Sequence, residues 1–350
     1  MPDQSFIVMF RITAIVCCAS FAFIMKGFGQ GKDTIILYNG QILIGMVQDA
    51  SLGSLTIDDI DLKMQSIKFF KIRRLIIVER FKIETIDRRI VYGSMKTSDR
   101  DGWVDIQTID GSKIPLHITS IYQLISLETN FFRRVNGNVS AGFSFTKSSG
   151  IGQTNFSANV RFATKLINYN LSISTIASID SGRLSRDNEN AQLFAAYDLT
   201  STWFLATSAQ YQRNLELSIA RRYLGLFGAG DKLFIKKSWR LLAVSGITIS
   251  QEKSTEDASS TLLFEIPLVF QFNYYHFNHP DIQINSNQAV YFSLSQPGRV
   301  RYDGSTDFSW QLIRYFYLKV SPYANFDSEP PAGSASTFDF GIEVGLSYKF

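Results

Sequence analysis

Residues 338–350 read FDFGIEVGLSYKF. Every second residue in this segment is apolar, and each residue between them is charged, polar or glycine. A period of two places successive side chains on opposite faces of a β-strand. The segment therefore predicts a strand with one apolar face and one hydrophilic face.

The same period recurs upstream, from about residue 135. Residues 135–145 put Val, Gly, Ala and Phe on one face and mostly Asn and Ser on the other, and residues 155–162 and 168–175 repeat the arrangement. The pattern continues to residue 326. Together with the segment 338–350 it predicts about twelve strands. An even number suits sequential antiparallel strands that close into a barrel. Residues 133–350 are therefore predicted to form a β-barrel.

A soluble β-sandwich also alternates, so further features must separate the two folds. Long strands, polar faces rich in Asn, Ser and Gln, and aromatic residues near strand ends favour a membrane barrel. In lipid only helices and closed barrels satisfy the backbone, and no apolar run beyond residue 29 is long enough for a spanning helix. The predicted fold class is all-β: an antiparallel transmembrane β-barrel of about twelve strands, preceded by a small N-terminal β-repeat module.

Composition narrows the class of protein. The chain has 350 residues, with 35 Lys and Arg against 31 Asp and Glu, so its net charge is only +4. This balance argues against nucleic acid as a partner. A hydrophobic share of 45% excludes disorder. The mean hydropathy of +0.01 is too low for a protein of many membrane helices.

The N-terminus reads as a targeting segment. Residues 12–25 are an uninterrupted apolar run between Arg11 and Lys26, which predicts a signal peptide over residues 1–29. A membrane-anchoring helix is the alternative, although the run is short for one. Cys17 and Cys18 both lie in this run, and a lipoprotein is disfavoured because Val16 precedes Cys17. Cleavage would leave no cysteine, which excludes disulfides and thiolate metal sites from the mature chain.

Residues 30–132 are predicted to form a periplasmic β module built from two repeats, at about 35–79 and 83–128. Ile35, Ile42 and Gly45 recur 48 positions later as Ile83, Ile90 and Gly93. Apolar positions further along recur with one extra residue inserted, and Asp110-Gly111 is a hairpin turn pair. Basic residues concentrate here and suggest either an anionic partner or a solvated face. Because acidic residues are interleaved with them, the solvated face is the prediction.

Loop lengths predict the orientation of the barrel. With the module in the periplasm, the short connections near 163–168, 199–202 and 313–315 become periplasmic turns. The polar segments 180–190, 252–258 and 327–336 are then predicted as outer loops. Connections at 228–237 and 275–282 are longer than this rule expects, and Gly225, Gly228 and Gly230 are predicted to mark a turn at a strand end.

The last strand, which ends in Phe, resembles the assembly signal of bacterial outer-membrane proteins. The residues that carry this resemblance are Phe340, Ile342, Val344, Leu346, Tyr348 and Phe350. The chain as a whole resembles the salt-induced outer-membrane protein family, through Tyr38-Asn39-Gly40, Gly45, Asp110-Gly111 and the aromatic barrel that follows. This resemblance implies an outer-membrane location and a link to osmotic conditions, and it brings no catalytic or binding residue. The second repeat lacks part of the motif that carries this resemblance, because it has Asp87-Arg88 where the first repeat has Asn39-Gly40.

No catalytic residue, cofactor or metal site is predicted. Of the three histidines, His276 and His279 could form a weak metal site with Asp281, but histidines in a surface loop are favoured because no partner stands at motif spacing. Charged residues on the polar faces are predicted to line the lumen. They are Arg161, Asp198, Arg240, Glu265, Asp307, Asp339 and Glu343.

These charges have two interpretations. Paired charges would fill the lumen, whereas unpaired ones would line a passage for small solutes. The predicted function is a non-enzymatic outer-membrane barrel with a structural or salt-adaptation role, with a narrow passive pore as the alternative and a barrel hydrolase third. The predicted partners are outer-membrane lipid, lipopolysaccharide and the barrel-assembly machinery, but no nucleic acid. The oligomeric state is left open.

Overall fold

The computed structural model describes residues 32–127, 134–146, 151–180, 183–215, 218–255, 260–277, 279–313, 316–330 and 337–348. The predicted signal peptide, with Cys17 and Cys18, lies outside the described residues, as does Phe350. The described elements are antiparallel β-strands and two 3-10 turns, so the predicted all-β class is confirmed.

Nine strands and the two 3-10 turns, Phe69–Lys71 and Ile118–Ser120, form the N-terminal module. The strands are β1 (Asp33–Leu37), β2 (Ile42–Ser51), β3 (Ser54–Asp59), β4 (Lys63–Lys68), β5 (Ile72–Thr85), β6 (Ile90–Thr97), β7 (Trp103–Thr108), β8 (Lys113–His117) and β9 (Ile121–Ser126). The sheet order is β4-β3-β2-β1-β5-β6-β7-β8, and β9 pairs with β2 and β5. One long strand, β5, thus links the two halves.

The two halves of the module use the same hydrogen bonds. The Gly40 N–H donates to the Leu37 carbonyl at 3.0 Å, and the Arg88 N–H donates to the Thr85 carbonyl at 2.9 Å. Gly40 has φ +87° and Arg88 has φ +66°, so the turn persists although Asn-Gly has become Asp-Arg. Both copies of the repeat thus have the positive φ at this position, although only the first copy has a glycine there.

Apolar side chains from both halves pack into one core. Its fully buried members include Ile35, Leu55, Ile57, Leu75, Phe81, Ile83, Val104 and Ile106. Most of these positions alternate along their strands with exposed or half-exposed ones, as a one-sided sheet requires, but residues 81–85 of β5 are buried on both faces. The halves therefore share a single hydrophobic core.

The barrel comprises twelve strands in sequence order, each paired antiparallel to the next. They are β10 (Val135–Thr146), β11 (Ile151–Ala163), β12 (Ile167–Asp180), β13 (Arg183–Asp198), β14 (Trp203–Asn214), β15 (Ile219–Ile235), β16 (Trp239–Ser254), β17 (Ser260–His276), β18 (Ile282–Ser293), β19 (Val300–Ile313), β20 (Phe316–Asp327) and β21 (Phe338–Tyr348). The predicted strand number is thus confirmed. We call the end at which β11, β13, β15 and β17 finish the near end, and the opposite one the far end.

Several strands are longer than the sequence suggested, and two predicted connections are wrong. Residues 180–190 were expected as an outer loop, but β13 begins at Arg183. Residues 228–237 were expected as a connection, but β15 runs through to Ile235. Backbone pairing continues through these polar stretches because hydrogen bonds between strands do not depend on apolar side chains.

The glycines of β15 lie within the strand and do not form a turn. A Cβ on Gly230 would overlap the ring of Phe204, and one on Gly228 would overlap the Ser245 carbonyl. These glycines therefore let neighbouring groups approach the strand closely.

Gly45 and Gly93 give the first testable prediction. At each, a Cβ would overlap the backbone carbonyl of the neighbouring strand, at Asp58 and Gln107 respectively. We expect Gly45→Ala and Gly93→Ala each to lower the free energy of unfolding by about 1–3 kcal/mol, because the strands must move apart. Denaturant titration of the purified protein in micelles measures this. Gly345→Ala is the control, since nothing lies within 4 Å of its added Cβ, and an equal loss there would contradict the steric argument.

Candidate functional site: the barrel interior and its contact with the module

The two faces of the barrel wall differ in chemistry. In β15, Tyr223 and Phe227 are exposed, whereas Arg222, Leu224 and Leu226 on the opposite face are buried. In β16 and β17, Ile247, Ile249 and Phe264 are likewise exposed, and the neighbouring inner face is polar. Buried polar residues of the barrel include Asp198, Ser208, Arg222, Lys232, Thr248, Ser250, Glu252, Glu265, Asn273, Arg299, Arg301 and Gln311. The apolar face thus points outward and much of the polar face inward.

Four charges form a closed ring where the module meets the near end. Lys82 of β5 lies 2.8 Å from Glu84 and 2.8 Å from Asp198 of β13. Lys232 of β15 lies 3.1 Å from Glu84 and 3.5 Å from Asp198. The four side chains are at most 10% exposed. Each charge has two opposite neighbours, so the ring is neutral and tolerates burial.

The ring shifts the titration of its module members. Burial raises the pKa of the Glu84 carboxyl, but Lys232 and Lys82 outweigh it and hold that pKa below its ordinary value of 4.5. Burial lowers the pKa of Lys82, but Glu84 and Asp198 outweigh it and hold that pKa above 10.5. The Glu84 contribution to stability is therefore lost as pH falls below about 4.5, and the Lys82 contribution is lost above about 10.5. Between these limits Glu84 and Lys82 both stay charged.

Further contacts join the module to the barrel. The Tyr122 hydroxyl accepts a 3.1 Å hydrogen bond from Arg240, and Arg88 donates at 2.8 Å to the Leu233 carbonyl. Lys165 lies over the ring of Tyr92, and Lys68 lies over the ring of Phe277. These contacts reach from the β11–β12 turn round to β17, so the module covers a wide arc of the near end.

A second ionic network fills the far end. Glu252 accepts from Arg222 at 2.7 Å and from Arg299 at 2.9 Å. Arg299 also donates to Asp327 at 2.6 Å. Arg301 makes a two-bond contact with Glu265, at 2.8 and 2.6 Å, and both side chains are buried. Paired guanidinium and carboxylate groups of this kind are geometrically specific.

An apolar layer separates the two ionic networks. Phe204, Ala206, Leu224 and Leu226 are buried on the inner face of β14 and β15. Phe194, Val244 and Tyr291 pack against them from β13, β16 and β18. On this side the interior is therefore layered, with charge pairs, then apolar side chains, then charge pairs again.

The predicted lumen charges occupy several environments. Asp198 belongs to the ring and Glu265 to the far-end network, whereas Arg240 binds Asn273 at 2.6 Å and Tyr122. Asp307 accepts a 2.8 Å hydrogen bond from Ser321, and Arg161 lines a cavity against the module. The structure thus does not bring these residues together as one site. The side chains of Asp339 and Glu343 lie outside what the structure describes.

Sequence reasoning missed the partners of these charges. Lys82 and Glu84 belong to the stretch of mixed charge that was predicted as a solvated face, and for these two residues the prediction is wrong, because both are buried in the ring. Lys232, Arg222, Glu252, Arg299 and Arg301 were not among the predicted residues. One signal was present, because Lys82 and Glu84 replace Thr34 and Ile36 of the first repeat. Two charges at positions that are uncharged in the other copy indicate an additional partner for the second repeat.

The remaining predicted residues are placed as follows. Phe340, Ile342, Val344 and Leu346 are exposed on one face of β21, and the side chain of Tyr348 is outside the described set. His117 faces Thr119, and His279 faces Gln311 at 3.1 Å. Asp281 accepts from Gln283 and donates its N–H to Gln311. Within the described ranges no three His, Cys, Asp or Glu side chains gather as metal ligands. No described helix is long and apolar enough to cross a membrane.

A family model described as "Protein of unknown function, DUF481" matches residues 136–350. The chain belongs to this family. The DUF481 match covers the barrel strands and begins after the module. No curated protein matches the chain.

Among solved structures, this DUF481 chain is similar to a "Bacterial polysaccharide outer membrane secretin", with 8% identity and a TM-score of 0.36 over 77% of this chain and 97% of that one. A porin refined at 1.8 Å has 10% identity and a TM-score of 0.29, over 77% and 98% respectively. Likenesses this distant say nothing about what the protein does.

The four-charge ring gives the second prediction. We expect Asp198→Ala to cost about 3–5 kcal/mol of unfolding free energy, because it leaves two buried ammonium groups facing one carboxylate. Adding Lys232→Met should recover part of the loss by restoring neutrality. Denaturant titration in micelles measures both, and hydrogen exchange at β5 reports whether the module loosens. Asp101→Ala is the control, since Asp101 pairs with Arg73 and Arg74 on the surface and should matter little. Equal losses would contradict a buried ring.

Proposed function

We propose that this DUF481 protein is a non-enzymatic β-barrel of the bacterial outer membrane with a structural role in the envelope. The observation that carries the proposal is the layered interior, in which charge pairs and the apolar layer fill much of the space that a pore would need. An enzyme needs a reactive group with an orienting partner, and a channel needs a continuous wet path. The layered part of the described interior, from β13 to β20, favours neither.

The outer face supports a membrane location. Large apolar side chains such as Phe227, Phe340 and Leu346 are exposed along successive barrel strands. In water such a surface would make the protein aggregate, whereas lipid is a favourable solvent for it. Trp203, Trp239 and Trp310 lie at or near strand ends close to the near end, where interfacial aromatic residues are common. Outer-membrane lipid and lipopolysaccharide are the proposed surroundings, and the barrel-assembly machinery is the proposed partner in insertion.

The module is proposed to face the periplasm, where it would cap the near end through the four-charge ring. A link to osmotic or salt conditions rests on the resemblance to the salt-induced outer-membrane protein family. A narrow pore remains the second candidate, favoured by the exposed polar residues Asn155, Asn159 and Arg161 on the inner face of β11.

The third prediction tests the membrane location. We expect Phe227→Arg to destabilise the barrel by about 2–4 kcal/mol if that face meets lipid near the bilayer centre. The variant should yield less of the folded, heat-shifted band on a gel after refolding into vesicles. Ile109→Arg in the module is a matched control, since Ile109 is 66% exposed and Phe227 67%. If both variants fold equally well, the outer face is in water and the membrane proposal is wrong.

The fourth prediction separates a filled barrel from a pore. We expect the purified wild-type protein to give no regular single-channel steps in a planar bilayer, because paired side chains fill much of its interior. Asp198→Ala should introduce irregular openings if the module seals the near end. Regular steps from the wild-type protein would overturn the filled-barrel proposal in favour of the pore.

A further inference from the structure

One group of cations in the barrel stands apart from the rest. Lys82, Lys232, Arg222, Arg299 and Arg301 each pair with a carboxylate. Arg134, Arg161 and Arg240, on the near-end side, are in no ion pair within the described part of the chain. Within the described residues, these three arginines thus differ from the five paired cations.

The hydrogen bonds of these arginines are few and go to uncharged groups. Arg134 donates to the Leu127 carbonyl at 3.2 Å, and its buried Nε has no acceptor in the described structure. Arg240 donates to the Asn273 amide and the Tyr122 hydroxyl. Arg161 has neither a hydrogen bond nor an ion pair among the described residues. A guanidinium donor without an acceptor is costly when it is withdrawn from water, which applies to the buried Nε of Arg134, whereas Arg161 is exposed on the inner face of β11.

A small cavity lies between the module and two of these arginines. Its volume is about 30 Å³, and Arg134, Arg161, Gln48, Gln123 and Asp49 help to line it. Among the described residues that line it, Asp49 is the one carboxylate, and it is engaged in interactions of its own. Arg240 and Asp49 are the nearby charges that act on Arg161. Positive charge therefore exceeds negative charge here.

Unsatisfied polar atoms continue beside the cavity on β12. Asn170 is the register partner of Arg161, and Asn168 is the register partner of Ala163, which also lines the cavity. The buried Oδ1 atoms of both asparagines have no partner in the described structure. An amide can turn to present its NH₂ group instead, so each side chain can donate to a bound group. Donors thus approach the cavity from both barrel and module.

We propose that this cavity, which we call the junction site, binds a compact inorganic anion of the size of chloride or phosphate. The cavity volume exceeds what one water molecule needs, so a small ion fits. An anion there would accept from Arg161 and Arg134 and neutralise part of the excess charge. The inference goes beyond the proposed function, because it concerns a ligand of the junction and holds whether or not the barrel conducts.

The test uses the full-length protein in detergent micelles. Chloride or phosphate is titrated against gluconate at constant ionic strength, and the unfolding temperature is followed. An anion that binds only the folded state raises this temperature with concentration. We expect the wild-type protein to respond and Arg161→Gln to bind about tenfold more weakly, because one charged hydrogen bond is lost. Arg161→Gln should fold, since Arg161 holds no other group in place.

Arg73→Gln is the control, because it removes one positive charge from an exposed pair with Asp101. It should respond as the wild type does. Crystals soaked in bromide supply a direct measurement, in which we expect an anomalous peak within hydrogen-bond distance of Arg161 that disappears in Arg161→Gln. The proposal is overturned if the cavity holds ordered water only, or if Arg161→Gln and Arg73→Gln respond alike.

Discussion

Main-chain pairing is the constraint on which the rest of the structure depends. Every barrel strand bonds to its neighbour in sequence, so the N–H and C=O groups of the strands from β11 to β20 are paired inside the sheet on both sides. Once the backbone is paired, the period of two leaves each strand with one face outward and one inward. The apolar exterior and the polar interior are consequences of that single arrangement.

A polar interior creates a second problem, because charges withdrawn from water must find partners. The buried charges are paired within two networks. Lys82, Glu84, Lys232 and Asp198 form the ring at the near end, and arginines pair with carboxylates at the far end. Buried ion pairs add little net stability compared with apolar packing, but removing one member is costly. Their value here is specificity, since the near-end ring forms only when the module occupies one position against the barrel.

The module shows how a repeat acquires a role. Its two halves keep the same turn at Gly40 and Arg88 and contribute to one core. They differ where the second copy meets the barrel, at Lys82 and Glu84. The corresponding Thr34 and Ile36 of the first copy are half-exposed. The two copies share the same backbone, and the two charged residues of the second copy let that half of the module bind the barrel.

Alternation and composition alone determined the all-β class, the twelve barrel strands and the order of module before barrel. These follow from the sequence because strand period and turn chemistry are local. Strand ends at residues 180–190 and 228–237 were misjudged, since pairing between strands continues where side chains turn polar.

Partnerships between distant charges were decided only by the tertiary structure. Lys82 and Asp198 are 116 positions apart, and Lys232 and Glu84 are 148 apart. No local pattern links such residues, because register and curvature bring them together only after the sheet has formed. The same holds for Arg134 and Arg161, which pair with no carboxylate among the described residues although the module and the barrel bring Asp49 close to Arg161.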